Sequence, residues 1–289
     1  MTSKRATPTV MRRRVGAQLR RWRGEMRSGD AAKLMGWDTT RLSRIERGLY
    51  RISGDDVRDF CAKLGIDDMA GVQEVGEVAD EPAGGGNGWW RAYDGRVSES
   101  LIDFVQLEAR ARSISTHHPV VVPGLLQTPG YVRELLGRTP VAIKPDHVEM
   151  LVSIRLARQE ILTRTENPVE LHALIPESAF LAEFHSGPSI MRDQLRKLLD
   201  VAALPNVRVQ ILPLNAHCWH GSNGAMTILG FRHPWVPVVS VDNPMGGTHS
   251  EEPEEIDFME RVFEASASAA LPVDDSREII TKYLEGKTT

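Results

Sequence analysis

The sequence predicts an N-terminal all-α bundle joined by a linker to an α+β domain with a small mixed or antiparallel sheet. Three observations support this. The chain has 289 residues, which is more than one average domain. Apolar residues recur at helical spacing up to about residue 66 and then alternate between helical and β-rich runs. A Pro- and Gly-rich stretch separates the two patterns. We therefore assign the bundle to residues 1–70, the linker to 71–88 and the α+β domain to 89–289.

The first 66 residues contain four short blocks with apolar residues at helical spacing. Gly36 separates the second block from the third, and Asp38 is placed to cap the third helix. Gly48 ends that helix, and Ser53 is placed to cap the fourth. The pattern is typical of a small helical domain.

The stretch "EVGEVADEPAGGGNG" is acidic, then rich in Pro and Gly, and offers no apolar face, so we expect a flexible linker. Beyond it, 3.6-residue spacing predicts helices near 98–112, 129–137, 146–164, 177–184, 188–203, 253–270 and 274–285. β-rich runs predict strands at 169–175, 207–214, 225–231 and 236–242, the last two forming a hairpin across "RHPW".

The net charge of −4 conceals an asymmetry along the chain. Residues 1–66 hold 16 Lys and Arg against 7 Asp and Glu, a net charge of +9, and the remainder carries −13. A basic head of this kind attracts a polyanion, and the acidic body is kept away from it.

Several functional classes are disfavoured by the sequence. No apolar run approaches the length of a membrane span, and the basic N-terminus lacks the apolar core of a secretory signal, so we expect a cytoplasmic protein without membrane contact. His217, Cys218 and His220 form one tight cluster of metal-capable side chains, but their spacing matches no usual zinc pattern. HExxH, GxSxG and phosphate-loop motifs are lacking, so we predict no enzyme, cofactor or metal site.

The third helical block carries the most informative surface. If Leu42 and Ile45 point inward, the residues left outside are Thr39, Thr40, Ser43, Arg44 and Arg47. A helix, a glycine turn and a second helix with an exposed polar face are the helix-turn-helix arrangement, in which the second helix enters the major groove of DNA. The alternative is a helical bundle whose basic face is merely solvated.

The stretch "AAKLMGWDTTRLSRIERG" resembles the lambda-repressor/Cro (XRE) type of helix-turn-helix regulator. The resemblance implies that Thr39, Thr40 and Arg44 face base edges, with Ser43 as a fourth, and that Trp37 is a buried turn anchor. Arg44 is suited to the paired acceptors of guanine. The resemblance also implies phosphate contacts from Arg47, Ser28 and Arg41.

Two alternatives remain open in this region. Arg27 occupies the usual cap position of the second helix, so Ser28 either caps that helix or serves as a phosphate ligand. The run of Arg12, Arg13 and Arg14 is either an arm that reaches a DNA groove or a solubilising segment.

The body resembles a second family through "FVQLEARARSISTHHPVVVPGLLQTPGYVRELL", "RLARQEIL", "MRDQLRKLLDVAALPNVRVQILPL" and "AALPVDDSREII". These segments resemble the C-terminal domain of actinobacterial antitoxin-like (WhiJ-type) transcriptional regulators. The resemblance implies a small partner protein encoded nearby that modulates binding to a double-stranded DNA operator. We expect a homodimer because a single head covers only a short half-site. The alternative is a partner-binding antitoxin scaffold that binds DNA only for autoregulation.

Polar residues within these words allow two interpretations. Glu108, Arg155, Arg158 and Gln159 either form buried pairs between helices or line a pocket. In "VVVPGLLQT", a β-branched run stops at a Pro-Gly turn, after which Leu125 and Leu126 are expected to enter the core.

Overall fold

The computed structural model describes residues 9–81, 88–137, 144–216, 224–242 and 247–286. The chain divides into two compact units. The first comprises Met1–Leu107 together with the short segment Arg232–Val236, and the second comprises Glu108–Phe231 and Pro237–Thr289. The predicted succession of a helical region and an α+β region is confirmed.

The first unit contains six α-helices among the described residues. They are α1 (Val10–Arg23), α2 (Ser28–Leu34), α3 (Thr39–Glu46), α4 (Gly54–Leu64), α5 (Met69–Asp80) and α6 (Glu99–Arg110), the last of which continues into the second unit. The Asp38 carboxylate accepts a hydrogen bond from the Arg41 amide at 2.8 Å, and the Ser53 hydroxyl accepts one from the Asp56 amide at 3.1 Å. Both predicted caps are confirmed.

Close backbone packing joins α1 to the end of α3. A Cβ on Gly16 would overlap the carbonyl oxygen of Ile45 and lie 2.6 Å from that of Glu46, so only glycine allows this approach. Next to this contact, Arg23 donates to the Glu46 carboxylate at 2.6 Å, with both side chains nearly buried. The position of α3 is thus fixed by a backbone contact and a shielded ion pair.

The stretch expected to lack an apolar face is in part a helix. α5 extends to Asp80, and Val72, Val75 and Val78 are buried along one side of it. The prediction of a linker over residues 71–88 was therefore wrong for residues 71–80, which belong to α5. The acidic residues occupy the outer face of α5, and the three valines at intervals of three were too sparse to register as an apolar stripe. Residues 82–87 lie outside the described residues.

The second unit is built on one mixed sheet of six strands among the described residues. The strands are β1 (Ser113–His117), β2 (Glu170–Pro176), β3 (Val207–Leu212), β4 (Met226–Gly230), β5 (Val238–Val241) and β6 (Thr248–Ser250), in the order β3-β2-β1-β4-β5-β6. β1, β2 and β3 run parallel, and the pairs from β1–β4 to β5–β6 are antiparallel. The sheet is mixed as predicted but larger than the small sheet expected.

Two strands were missed because their sequences are short or polar. β1 reads "SISTH" and pairs with both β2 and β4, so it lies in the middle of the sheet. Its buried Thr116 donates to the Met226 carbonyl and contacts the Thr227 hydroxyl at 3.0 Å, which satisfies a polar side chain inside the sheet. β6 has only three residues. Neither has the alternating apolar pattern by which the other four were found.

The helices of the second unit largely match their predicted positions. They are α7 (Pro129–Gly137), α8 (Pro145–Arg158), α9 (Ser189–Val201), α10 (Pro253–Ala269) and α11 (Val273–Gly286). The helix expected over 146–164 ends at Arg158 and continues as a 3₁₀ turn, and the one expected over 177–184 is a 3₁₀ turn over Glu177–Leu181. Within the described part of the chain, no helix is long and apolar enough to cross a membrane.

The segment "VPGLLQT" is held in the second unit by buried hydrogen bonds. Leu125 and Leu126 are buried as predicted. The Gln127 amide donates to the Val122 carbonyl at 2.6 Å, and the Gln194 amide donates to the Leu126 carbonyl at 2.7 Å. Because nearly all polar groups of this segment find partners inside the protein, its role is architectural.

Glu108 and Arg158 form a buried two-bond ion pair, at 2.7 and 2.8 Å, so the interpretation as a pair between helices is confirmed for them. Burial opposes the charge of Arg158, but the charge and hydrogen bonds of Glu108 outweigh it and raise the pKa of Arg158. Arg155 donates to the neutral Gln127 side chain at 3.1 Å. Burial together with the charge of Arg158 lowers its pKa to about 10, although Asp242 acts in the opposite direction. Gln159 donates to the Gln127 carbonyl at 2.7 Å.

One buried and one half-buried histidine predict that the stability of the second unit depends on pH. Burial lowers the pKa of His117, which contacts the Leu174 carbonyl, and that of His172, which bonds to Gln210 at 2.8 Å. Because the folded-state pKa of each is lowered, both bind a proton more readily in the unfolded chain, where the pKa is near 6.5. The unfolded state thus binds more protons below that pH, and the free energy of unfolding falls with decreasing pH until the folded-state pKa is passed.

We expect urea unfolding at pH 7.5 and pH 5.5 to show this loss, with a slope of up to about 1.4 kcal/mol per pH unit for each histidine. The variant His172→Gln should reduce the slope of the unfolding free energy against pH by the contribution of one histidine. An unchanged slope in that variant would contradict the assignment to His172.

Candidate nucleic-acid interface

The helix α3 has one buried face and one accessible face. Leu42 and Ile45 are 0% and 1% exposed, so they fix the orientation of the helix. The side chains on the opposite face are exposed or half-exposed: Thr39, Thr40, Ser43, Arg44 and Arg47. The predicted division of this helix into an apolar inner face and a polar outer face is therefore observed.

The turn before α3 positions its first residues. Gly36 has a φ of +64°, which a glycine adopts without strain, and the chain then enters α3 at the Asp38 cap. Trp37 stacks on Phe60 of α4 with ring centroids 6.4 Å apart, but it is only half-buried, and the Arg41 guanidinium lies 4.4 Å from the centre of its ring. Trp37 is thus a turn anchor as expected, although the expectation of full burial was wrong.

Arg44 lies against an aromatic side chain from the loop that follows α3. Its guanidinium is 5.0 Å from the centre of the Tyr50 ring and donates a hydrogen bond to the Tyr50 hydroxyl. Cation–π contact and hydrogen bond together restrict the orientations of a long side chain. Tyr50 is exposed, so the pair presents a planar cation and a phenol together at the surface.

The other arginines of α3 differ in availability. Arg47, the C-cap residue of α3, is exposed, and among the described residues its side chain donates from Nε to the Ser43 carbonyl. Arg41 lies over Trp37 and 3.5 Å from the Asp56 carboxylate, so its charge is partly balanced within the unit. This geometry weakens the case for Arg41 as a phosphate ligand and leaves that for Arg47 intact.

The alternative in which Ser28 caps α2 is wrong. The N-cap position is Arg27, which makes no side-chain capping bond, and Ser28 is the first helical residue. The Ser28 hydroxyl is half-exposed at the start of α2. A helix N-terminus with a hydroxyl is suited to a phosphate, so the second alternative for Ser28 is retained.

The basic run Arg12–Arg14 is not a free arm, because it belongs to α1. Arg13 pairs with Asp103 at 2.6 Å. Arg14 is buried, donates to the Val236 carbonyl at 2.7 Å and lies over the Trp235 ring, all within the first unit. The buried Arg14 is therefore not available to DNA, whereas Arg13 is partly exposed and pairs with Asp103.

Arg12 has a different environment from its neighbours. Partial burial and the nearby charge of Arg51 lower its pKa. Arg12, Tyr50 and Arg51 were not selected from the sequence, since they lie outside the motif and become neighbours of α3 only through the fold.

The cluster of His217, Cys218 and His220 lies outside the described residues. Across the described ranges, no three His, Cys, Asp or Glu side chains are grouped closely enough to hold a metal ion.

Family comparison agrees with the geometry of the first unit. Residues 14–70 match a family model described as a helix-turn-helix domain. Together with the basic first unit and the exposed polar face of α3, this match defines a helix-turn-helix DNA-binding regulator.

The second unit identifies the family. Residues 101–282, more than half of the chain, match a model described as a domain of unknown function (DUF5753), and the chain therefore belongs to that family. Comparisons with curated proteins and with solved structures return no significant match.

Proposed function

We propose that the protein is a sequence-specific transcriptional regulator that reads a double-stranded DNA operator with α3. One observation carries the proposal: the two threonines, Ser43, Arg44 and Arg47 share the accessible face of a helix whose other face is completely buried. Hydroxyl and guanidinium groups are the ones that recognise base edges and phosphates in the major groove. The net charge of +9 over residues 1–66 supplies long-range attraction.

Within this interface we assign different tasks to different residues. Thr39, Thr40 and Arg44 contact base edges, with Ser43 beside them. The Tyr50 ring supports Arg44 in an orientation suited to the O6 and N7 acceptors of a guanine. Arg47 and Ser28 contact phosphates, and Arg41 has a lesser share because Asp56 and Trp37 already engage it.

Two further parts of the proposal rest on the resemblance of the sequence to antitoxin-like regulators of actinobacteria. Two copies of the chain bind half-sites about one helical turn apart on a near-palindrome, because one head contacts too few base pairs for useful specificity. The second unit receives a small partner protein, and it acts by binding and not by catalysis. The acidic character of the chain beyond residue 66 is compatible with a basic partner.

Arginine substitutions test the assignment of base and phosphate contacts. The operator is first obtained by selection from random duplexes with the full-length protein. Arg44→Ala should then weaken binding to the selected site by roughly 1–3 kcal/mol and leave binding to random DNA nearly unchanged. Arg47→Ala should weaken binding to the selected site and to random DNA alike. It should also reduce the dependence of the affinity on salt concentration by about the contribution of one phosphate contact.

Glu260→Lys and Glu260→Ala, on an exposed residue of α10 in the second unit, serve as controls for surface charge and should retain specific binding. Equal losses on selected and random duplexes for Arg44→Ala and Arg47→Ala would refute the assignment.

A further inference from the structure

One face of the sheet in the second unit carries an apolar groove beside β6. The C-terminal half of α10 packs closely on the sheet, where Val262 and Phe263 join Met226 and Ile228 in a buried cluster. The N-terminal half leaves a cavity of about 420 Å³ between helix and sheet. Its lining residues are Val239, Val241, Thr248, Ser250, Glu254, Glu255, Phe258 and Met259.

Strand register explains why this space is open. Val239 pairs with Ser250, and Val241 pairs with Thr248, so all four side chains lie on the same face of the sheet. β6 therefore contributes only two small hydroxyl residues beneath α10. Phe258 extends from the helix above them and remains 57% exposed, which is unusual for a phenylalanine beside an apolar cavity.

Two carboxylates give the groove its charge. Glu254 and Glu255 lie in the first turn of α10, where a negative charge stabilises the helix, and within the described residues neither forms an ion pair. An apolar cavity with a negative rim is complementary to an apolar group that carries positive charge beside it.

We propose that this groove binds a basic peptide segment of a partner protein, which inserts apolar side chains between α10 and β5–β6 and pairs its lysines or arginines with Glu254 and Glu255. The position supports a polypeptide, since β6 is the end strand of the described sheet and a bound segment can run alongside it. A second copy of the chain is disfavoured, because a symmetric contact here would bring the glutamates of both copies together. The inference rests on the partner-binding part of the proposed function and gives it a location and a chemistry.

Labelled peptides of defined composition test the proposal on the full-length protein. The probe is a short peptide that alternates lysine with leucine, and its two matched controls replace either lysine by glutamate or leucine by serine. Fluorescence anisotropy should show binding of the lysine–leucine peptide and at least about tenfold weaker binding of both controls.

Surface variants locate the binding. We expect two groove variants to bind the lysine–leucine peptide at least about fivefold more weakly than the unaltered protein does. They are the double variant Glu254→Lys with Glu255→Lys and the single variant Phe258→Ala. Glu260→Lys changes the same charge on a different face of α10 and should bind as the unaltered protein does. Phe258→Ala leaves Glu254 and Glu255 in place, so the charges that stabilise the N-terminus of α10 are retained. A loss of binding in this variant can therefore be assigned to the apolar contact.

Unchanged affinity in the groove variants would overturn the proposal, as would binding of an alkylammonium ion at the groove without binding of any peptide. These measurements contain no DNA, so they remain informative even if Arg44→Ala fails its own test. Conversely, the groove variants should bind the selected operator normally in the absence of peptide, which separates this surface from the DNA-reading helix.

Discussion

Gly16→Ala is expected to destabilise the first unit by about 3 kcal/mol or more. The added Cβ would overlap the Ile45 carbonyl oxygen and crowd that of Glu46, and these are backbone atoms that cannot rotate away. α1 and α3 would have to separate, which also exposes part of Leu42 and Ile45. Thermal and urea unfolding of the full-length protein should show an early transition, and specific DNA binding should fall with it.

Gly29→Ala is the matched control within the same unit. Gly29 lies in α2, where a Cβ would meet only the Thr39 hydroxyl at 3.8 Å, an ordinary contact distance. Alanine in a helix favours folding by roughly 0.5–1 kcal/mol relative to glycine. Gly16→Ala and Gly29→Ala should therefore shift the unfolding midpoint in opposite directions, and a shift in the same direction would refute the steric argument.

Glu108→Ala should destabilise the second unit by about 3–5 kcal/mol. The substitution leaves the Arg158 guanidinium buried without its carboxylate, next to the charge of Arg155, which donates to the neutral Gln127 side chain. Two like charges in a poorly solvated region then repel each other. Calorimetry or urea unfolding should show the loss in the transition of the second unit.

The exposed pair of Arg133 and Glu149 provides the comparison. It has nearly the same geometry, with contacts of 2.7 and 2.8 Å, but both side chains are about half-exposed. Water replaces the lost contact at such a site, so Glu149→Ala should barely move the unfolding midpoint. Similar losses in the two variants would show that burial of Glu108 is not what makes its pair important.

Local signals made much of the first unit predictable. Caps such as Asp38 and Ser53 act over three residues, and the turn at Gly36 needs a positive φ, so these features are legible in the sequence itself. The helix formed around the three valines of α5 could not be predicted in this way, because a helix covered by acidic residues on its outer side has a weak apolar pattern. Its stability comes from packing on the bundle, which is a tertiary effect.

Strand prediction in the second unit had the same limit. β2 to β5 carry β-branched or alternating apolar runs, whereas β1 owes its central position to pairing on both sides. A polar strand such as "SISTH" satisfies its side chains only through partners distant in sequence, among them Thr227. No local pattern encodes such partners.

The periodicity of the sequence predicted which face of α3 is accessible, but it did not predict the contacts that the side chains on this face make. Contact between Arg44 and Tyr50 spans six residues and depends on how the chain turns at Gly48. The balance of Arg41 by Asp56, and the burial of Arg14 beneath Trp235, depend on elements still further away. Charge counts alone therefore overestimated how many arginines the unit offers to DNA.

The glycine contact between α1 and α3 has a consequence for the thermodynamics of association. A recognition helix seated directly on its neighbour's backbone loses little conformational entropy when it enters the groove. In the proposed complex, most of the ordering of α3 has already occurred during folding, so the conformational part of the binding cost is small. Discrimination between sequences would then depend on whether a rigid surface fits, and not on how far a flexible one adapts.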